Sequence, residues 1–150
     1  MKGVTLATFR SYYGASKTVQ DLKNITDEQW MHIFKKGYWD KWKADEIKSQ
    51  SIANLCVDWV YNSGKPGITN VQKLLGVTAD GVVGPKTLAA LNAQDPHTFF
   101  NRLHARREIF YRSLSTFKTF GTGWLRRNNG IGFCYLVYNN GKKVTFKDEA

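Results

Sequence analysis

Apolar positions recur at helical spacing along most of this chain. Val4, Leu6, Phe9, Tyr12 and Tyr13 form a first stripe, and Gly14 supplies a stop. Trp30, Ile33 and Phe34, with Tyr38 or Trp39, form a second. Ahead of it stand Thr26 and Gln29, three residues apart as in a capping box, with Asp27 and Glu28 placed to meet the positive end of a helix dipole. Gly37 weakens the far end of that helix. A polar connection from Asp40 to Glu46 then leads into the most apolar stretch, Ile47 to Asn62. There Ile52, Leu55, Cys56, Trp59 and Val60 recur at three- and four-residue steps, and Ala53 and Val57 widen the stripe. This pattern predicts the central core helix, broken by Ser63-Gly64-Lys65-Pro66-Gly67.

Beyond the break, Ile68 to Leu75 reads as a short helix ended by Gly76. A turn-rich loop follows, in which Asp80-Gly81 marks a tight turn and Pro85 suits the first position of a helix from Lys86 to Asn92. Asp95-Pro96 opens a longer helix through about Leu114. Its packing face is Phe99, Phe100, Leu103, Ile109, Phe110 and Leu114, and its arginines are expected to point outward. Glu108 and Arg112 stand four apart in the favourable order, worth a few tenths of a kcal/mol, about 0.3. The pattern changes near the end. Residues 133–138 and 142–147 are aromatic and β-branched, and Asn140-Gly141 between them is the favoured pair for a type I′ turn. The expected fold is therefore mainly α, closing in a β-hairpin.

Composition narrows the partners more than the fold. The chain has 150 residues, enough for one domain with a real core, and 5 Trp, 7 Tyr and 9 Phe exceed ordinary packing needs. Such an excess either enriches the core or lines a groove, where sugar rings stack well. Lys and Arg number 22 against 12 Asp and Glu, a net charge of +10, which favours nucleic acid, anionic lipid or an anionic polymer. No helix-turn-helix or zinc-finger spacing supports nucleic acid. No apolar run approaches the roughly 20 residues of a membrane span, and Met1-Lys2-Gly3-Val4-Thr5 leads into a polar, aromatic stretch rather than a signal core. The chain reads as soluble, without stable membrane insertion. Cys56 falls in an apolar helix and Cys134 in a strand-like stretch; a bridge between them is open, but no spacing argues for it. Two Cys with the scattered His32, His97 and His104 make no metal site, and no cofactor is implied.

Among the carboxylates, most have local explanations: a first helical turn for Asp27 and Glu28, a cap for Asp95, a turn for Asp80, a helical pair for Glu108. Asp58 does not. It lies inside the apolar core helix beside Trp59, with Tyr61 and Asn62 after it. A carboxylate there is either solvated at a groove edge, as a site residue, or held by an arginine or backbone donors, because burying it bare is costly.

Several segments, taken in order, resemble glycoside hydrolase family 108, the N-acetylmuramidase group once called secretion activators. Lys2-Gly3-Val4-Thr5 resembles the end of that family's opening motif, Tyr38-Trp39 its Tyr-Trp step, and Asp58-Trp59-Val60-Tyr61-Asn62-Ser63-Gly64 its Asp-Trp-x-x-Asn-x-Gly signature. From Val71 the chain resembles the peptidoglycan-binding region usually fused to it, through Val71-Gln72-Lys73-Leu74-Leu75-Gly76-Val77, Asp80-Gly81-Val82-Val83-Gly84-Pro85-Lys86-Thr87-Leu88, Arg106-Arg107 and Gly123-Trp124-Leu125-Arg126-Arg127.

The resemblance implies a lysozyme-like helical domain, with a muramidase-like region over 1–67 and a peptidoglycan-binding-like region over 68–150 packed as one body. It implies a cell-wall hydrolase acting on the β-1,4 bond between N-acetylmuramic acid and N-acetylglucosamine, at the wall or in the periplasm. The implied substrate-binding residues are Thr5, Trp39, Asp58, Trp59, Tyr61 and Asn62. The family's opening Glu-Gly-Gly segment, which carries its catalytic glutamate, has no counterpart here, so no catalytic residue is carried over. Loss of a general acid costs about 10²–10⁴-fold in rate. The expectation is peptidoglycan binding without cleavage, from a late start codon, a truncated gene or a trimmed chain. The alternative is a wall-binding or secretion-accessory protein that never was catalytic, and reading frame upstream of Met1 separates the two. The terminal hairpin departs from the family pattern, in which a helix would continue after Trp124.

Overall fold

A computed structural model describes residues 4–137 and 141–147. The chain falls into two compact units, residues 1–41 and 42–150.

The first unit is helical. Helix α1 (Leu6–Tyr13) is capped by Thr5, whose side chain accepts from the Thr8 amide, and it ends at Gly14 with φ +121°. Helix α2 (Val19–Lys23) carries too few apolar residues to have been read from periodicity. It is set by a reciprocal capping box between Thr18 and Asp21. Helix α3 (Asp27–Phe34) has the expected box between Thr26 and Gln29, and at its end the helix widens into a π turn over Lys35–Trp39. Phe9, Leu22, Ile25 and Ile33 form this unit's core, with Val4, Leu6, Tyr13 and Trp30 packed around it.

The second unit opens where a polar connection was expected. Trp42 and Ala44 within it are buried, and a 3₁₀ turn spans Ala44–Glu46. Helix α4 (Gln50–Ser63) starts three residues later than periodicity suggested, because the Ser49 hydroxyl caps it by accepting from the Ile52 amide. It packs against α5 (Pro66–Leu75), α7 (Pro96–Ser113) and the first strand. At the α4–α5 corner, Gly64 takes φ +69° and ψ −143°, a conformation open essentially to glycine. A Cβ on Gly67 would stand 2.7 Å from the Trp59 carbonyl carbon and the Val60 nitrogen, so only glycine lets the two helices approach this closely. Helices α6 (Pro85–Asn92) and α8 (Phe117–Asn129) complete the helical part, and the fold among the described residues is mainly α.

Helix α7 departs from the expected face. Its buried row is Phe99, Phe100, Leu103, Arg107 and Tyr111, whereas Ile109 is 65% exposed. Steps of four from Leu103 reach Arg107 and Tyr111, and an apolar count skips the first of these. The arginines of α7 do not all point outward: Arg107 is fully buried.

After α8 the chain turns into a three-stranded antiparallel sheet, β1 (Ile131–Gly132), β2 (Tyr135–Val137) and β3 (Lys143–Thr145), in that order. The type I′ turn expected at Asn140-Gly141 lies partly outside the described residues. Leu136 pairs with Val144 and Val137 with Lys143. A two-residue turn on Asn140-Gly141 would instead have set Val137 opposite Val144. A one-residue change of register exchanges the faces of a strand, and here it puts Leu136 and Val144 on the same face. Tyr135 lies across its partner Gly132, whose missing Cβ makes room for the ring. Cys56 and Cys134 are both free thiols, and burial pushes the Cys56 thiol far up.

Candidate functional site

The chemistry of the second unit is concentrated on one face of α4. Asp58 projects from its last two turns with the side chain 18% exposed, and both carboxylate oxygens are occupied. Arg107 Nη2 of α7 donates to Oδ2 at 2.6 Å. Arg127 of α8 donates from Nε to both oxygens at 3.0 Å and from Nη2 to Oδ1 at 2.6 Å. Burial by itself would raise the pKa of Asp58 and is the largest single influence. The hydrogen bonds and charges of the two guanidiniums together outweigh it and hold the carboxyl below its usual range. Asp58 is therefore an ion-paired anion, neutralised by a fully buried Arg107 and a partly exposed Arg127.

The network extends from there. Arg107 Nε donates to the Tyr111 hydroxyl at 2.9 Å, and that hydroxyl donates to Asn62 Oδ1 at 2.6 Å. Burial raises the Tyr111 phenol, which keeps its proton available for Asn62. Trp124 stacks on Tyr111 with ring centroids 5.3 Å apart, and the Arg127 guanidinium lies 5.4 Å from the centre of the Tyr61 ring. Trp59 points the other way. Expected beside a groove, it is wholly buried and packs edge-on against Phe110. Tyr61 is half-buried and Asn62 exposed.

Each named position of the Asp-Trp-x-x-Asn-x-Gly stretch thus has a structural job: Asp58 clamps α7 and α8, Trp59 fills the core, Asn62 receives Tyr111, and Gly64 turns the corner. Thr5 and Trp39 belong to the first unit, where Thr5 is the exposed cap of α1 and Trp39 is the half-buried last residue of the π turn. Arg107, Arg127 and Tyr111 were not singled out in sequence as partners of Asp58. Their only signal was the Arg-Arg pair and the four-residue step from Leu103.

The loop after α5 is built in the same way around a buried amide. Gln72 Nε2 donates to Asp80 Oδ1 at 3.1 Å and to the Val82 carbonyl at 2.9 Å, and it lies 3.3 Å from Thr87 Oγ1. Gly81, at φ +77°, returns its amide to Gln72 Oε1 at 2.9 Å. The Val82 amide and Gln72 hold the Asp80 carboxyl below its usual range. The Asp-Gly-x-x-Gly-Pro-x-Thr stretch is accordingly a self-satisfied loop.

Comparison with known proteins matches residues 1–64 to the family described as Glycosyl hydrolase 108 and residues 66–129 to the Predicted Peptidoglycan domain. The structure of Brucella abortus SagA superposes with a TM-score of 0.77 at 32% sequence identity, over 86% of this chain and 74% of that one. This chain belongs to glycosyl hydrolase family 108. No curated protein matches it. In this family member the boundary between the two matched regions, at Lys65, falls inside the second compact unit. The Asp58–Arg107 and Asp58–Arg127 pairs tie one matched region to the other across it. Glycosyl hydrolase 108 and peptidoglycan-binding regions together fit a cell-wall muramidase-family protein with peptidoglycan as ligand. Among the described residues no helix is long and apolar enough to cross a membrane.

Proposed function

We propose that these 150 residues bind bacterial peptidoglycan and do not cleave it. The observation that carries the binding half is the match of residues 66–129 to a peptidoglycan domain, held rigidly to α4 by the two-arginine clamp. A net charge of +10 supports attraction to an acidic wall. Tyr61 and Asn62, at the open end of α4 beside Arg127, form the sugar-facing edge. Asp58 and Trp59 support that edge from behind.

The settings of six carboxyls support the absence of cleavage. Glycoside hydrolysis needs a carboxylic acid with a raised pKa, paired with a second carboxylate across the bond. Asp21, Asp58, Asp80 and Asp95 are each shifted the other way, held down by caps, turns or arginines. Asp40 is paired with Lys35 and Glu108 with Arg112. Both oxygens of Asp58, in the family signature, accept from arginines, and its carboxyl, held below the usual range, has no proton to give at neutral pH.

The test uses the chain with purified peptidoglycan sacculi. Co-sedimentation is expected, with no release of reducing sugar and no clearing of the suspension. Clearing by the purified chain would sink the non-cleaving half, and failure to sediment would sink the binding half.

A further inference from the structure

The hydrogen bonds that begin at Asp58 run in one direction and reach the surface at Asn62. An arginine guanidinium carries donors and no acceptor. Arg107 therefore gives Nη2–H to Asp58 Oδ2 at 2.6 Å and Nε–H to the Tyr111 hydroxyl at 2.9 Å. The second bond fills one acceptor site of the phenol oxygen. That hydroxyl has a single proton of its own, and Tyr111 is 1% exposed, so the proton needs a partner within the protein. Among the described residues that acceptor is Asn62 Oδ1, 2.6 Å away.

This settles which end of the Asn62 amide meets Tyr111. With the amide reversed, two N–H groups would converge on the phenol oxygen and its proton would be left without an acceptor, a costly state for a buried group. The Ser63 hydroxyl also donates to Asn62 Oδ1, at 3.4 Å. Oδ1 is thus occupied twice, whereas no hydrogen bond among the described residues takes up Nδ2. Asn62 is exposed in the last turn of α4, so its two N–H groups remain for a ligand.

We infer that Tyr111, held by Arg107, is a positioning residue that turns Asn62 into a fixed N–H donor, so that this edge takes its ligand through an acceptor oxygen. A side chain already held in one orientation has less freedom to lose on binding, which is how a buried residue raises affinity at a surface it does not touch. Tyr111 acts from behind the edge, with its ring stacked on Trp124. The inference rests on the wall-binding reading. It adds the polarity of the group that the edge takes and the residue that sets that polarity.

Dissociation constants for sacculi, from co-sedimentation titrations, test it. Asn62→Ala is expected to weaken binding by about 2- to 10-fold, the worth of one net hydrogen bond. Tyr111→Phe keeps the ring and the net charge. It is expected to weaken binding by about 2- to 5-fold, and to add nothing in the Asn62→Ala background. A merely structural Tyr111 would give the same loss in both backgrounds, so additive losses would overturn the positioning role. Asn62→Asp offers Tyr111 the same acceptor but replaces the N–H groups by an oxygen. In 0.5 M salt, where the added charge is screened beyond about 4 Å, it should bind no better than Asn62→Ala. Wild-type affinity in Asn62→Asp would overturn the donor polarity, and this arm decides the matter even if Tyr111→Phe fails to fold. Binding unchanged by Asn62→Ala would overturn the inference and leave wall binding standing. Wild type that fails to sediment would overturn the wall-binding reading itself.

Discussion

At the scale of single residues, the chemistry of this protein turns on one carboxylate. Asp58 has exchanged water for two guanidiniums, and Arg107, fully buried, has no other carboxylate partner among the described residues. Removing one member of a buried ion pair leaves an uncompensated charge. Asp58→Ala is therefore expected to cost about 3–5 kcal/mol of folding stability, read by urea denaturation. A loss below about 1 kcal/mol would contradict the clamp. The pH dependence has a definite sign. The folded-state pKa of Asp58 lies below the unfolded value of about 3.9, so its contribution is complete above that pH. It disappears as pH falls through the folded value, where the unfolded chain has already taken up the proton. Wild type should lose stability below about pH 4, and the gap between wild type and Asp58→Ala should narrow there. In sequence, Asp58 stood out because a carboxylate interrupted an apolar stripe. What satisfied it could not be read, since its partners are 49 and 69 residues away and an arginine carries no periodic signal of burial.

At the scale of elements, local rules fixed most of what formed. The Thr26–Gln29 box, the Asp95-Pro96 start, the Gly14 and Gly76 stops and the paired strands at the end all follow from side-chain chemistry within a few residues. Helix α7 shows where that logic stops, because its buried row passes through Arg107 and leaves Ile109 in solvent. The glycines separate local from tertiary demands. Gly67→Ala sets a Cβ against the backbone of α4 and is expected to cost about 1–3 kcal/mol through forced separation of the helices. Gly123, exposed in α8, has nothing within 4 Å of a would-be Cβ. Gly123→Ala should raise stability by about 0.5–1 kcal/mol, since a helix-interior glycine gives up more backbone entropy than alanine. Thermal denaturation of the two variants checks both signs, and a shift in the same direction for both would refute the packing argument.

At the scale of the whole molecule, charge governs reach and the clamp governs integrity. With a net charge of +10, retention on sacculi should fall as salt rises from about 0.05 to 0.5 M, because the Debye length shrinks from about 14 to about 4 Å over that range. Retention that does not change with salt would place binding wholly on neutral sugar contacts. The sequence by itself determined the helical class, the terminal β-structure, the basic surface and the family, because periodicity, capping, net charge and motif order are properties of neighbouring residues and of their sum. The tertiary structure alone decided what the signature residues do. Burial and pairing depend on distant segments meeting, and only their meeting made Asp58 a clamp and Trp59 a core residue.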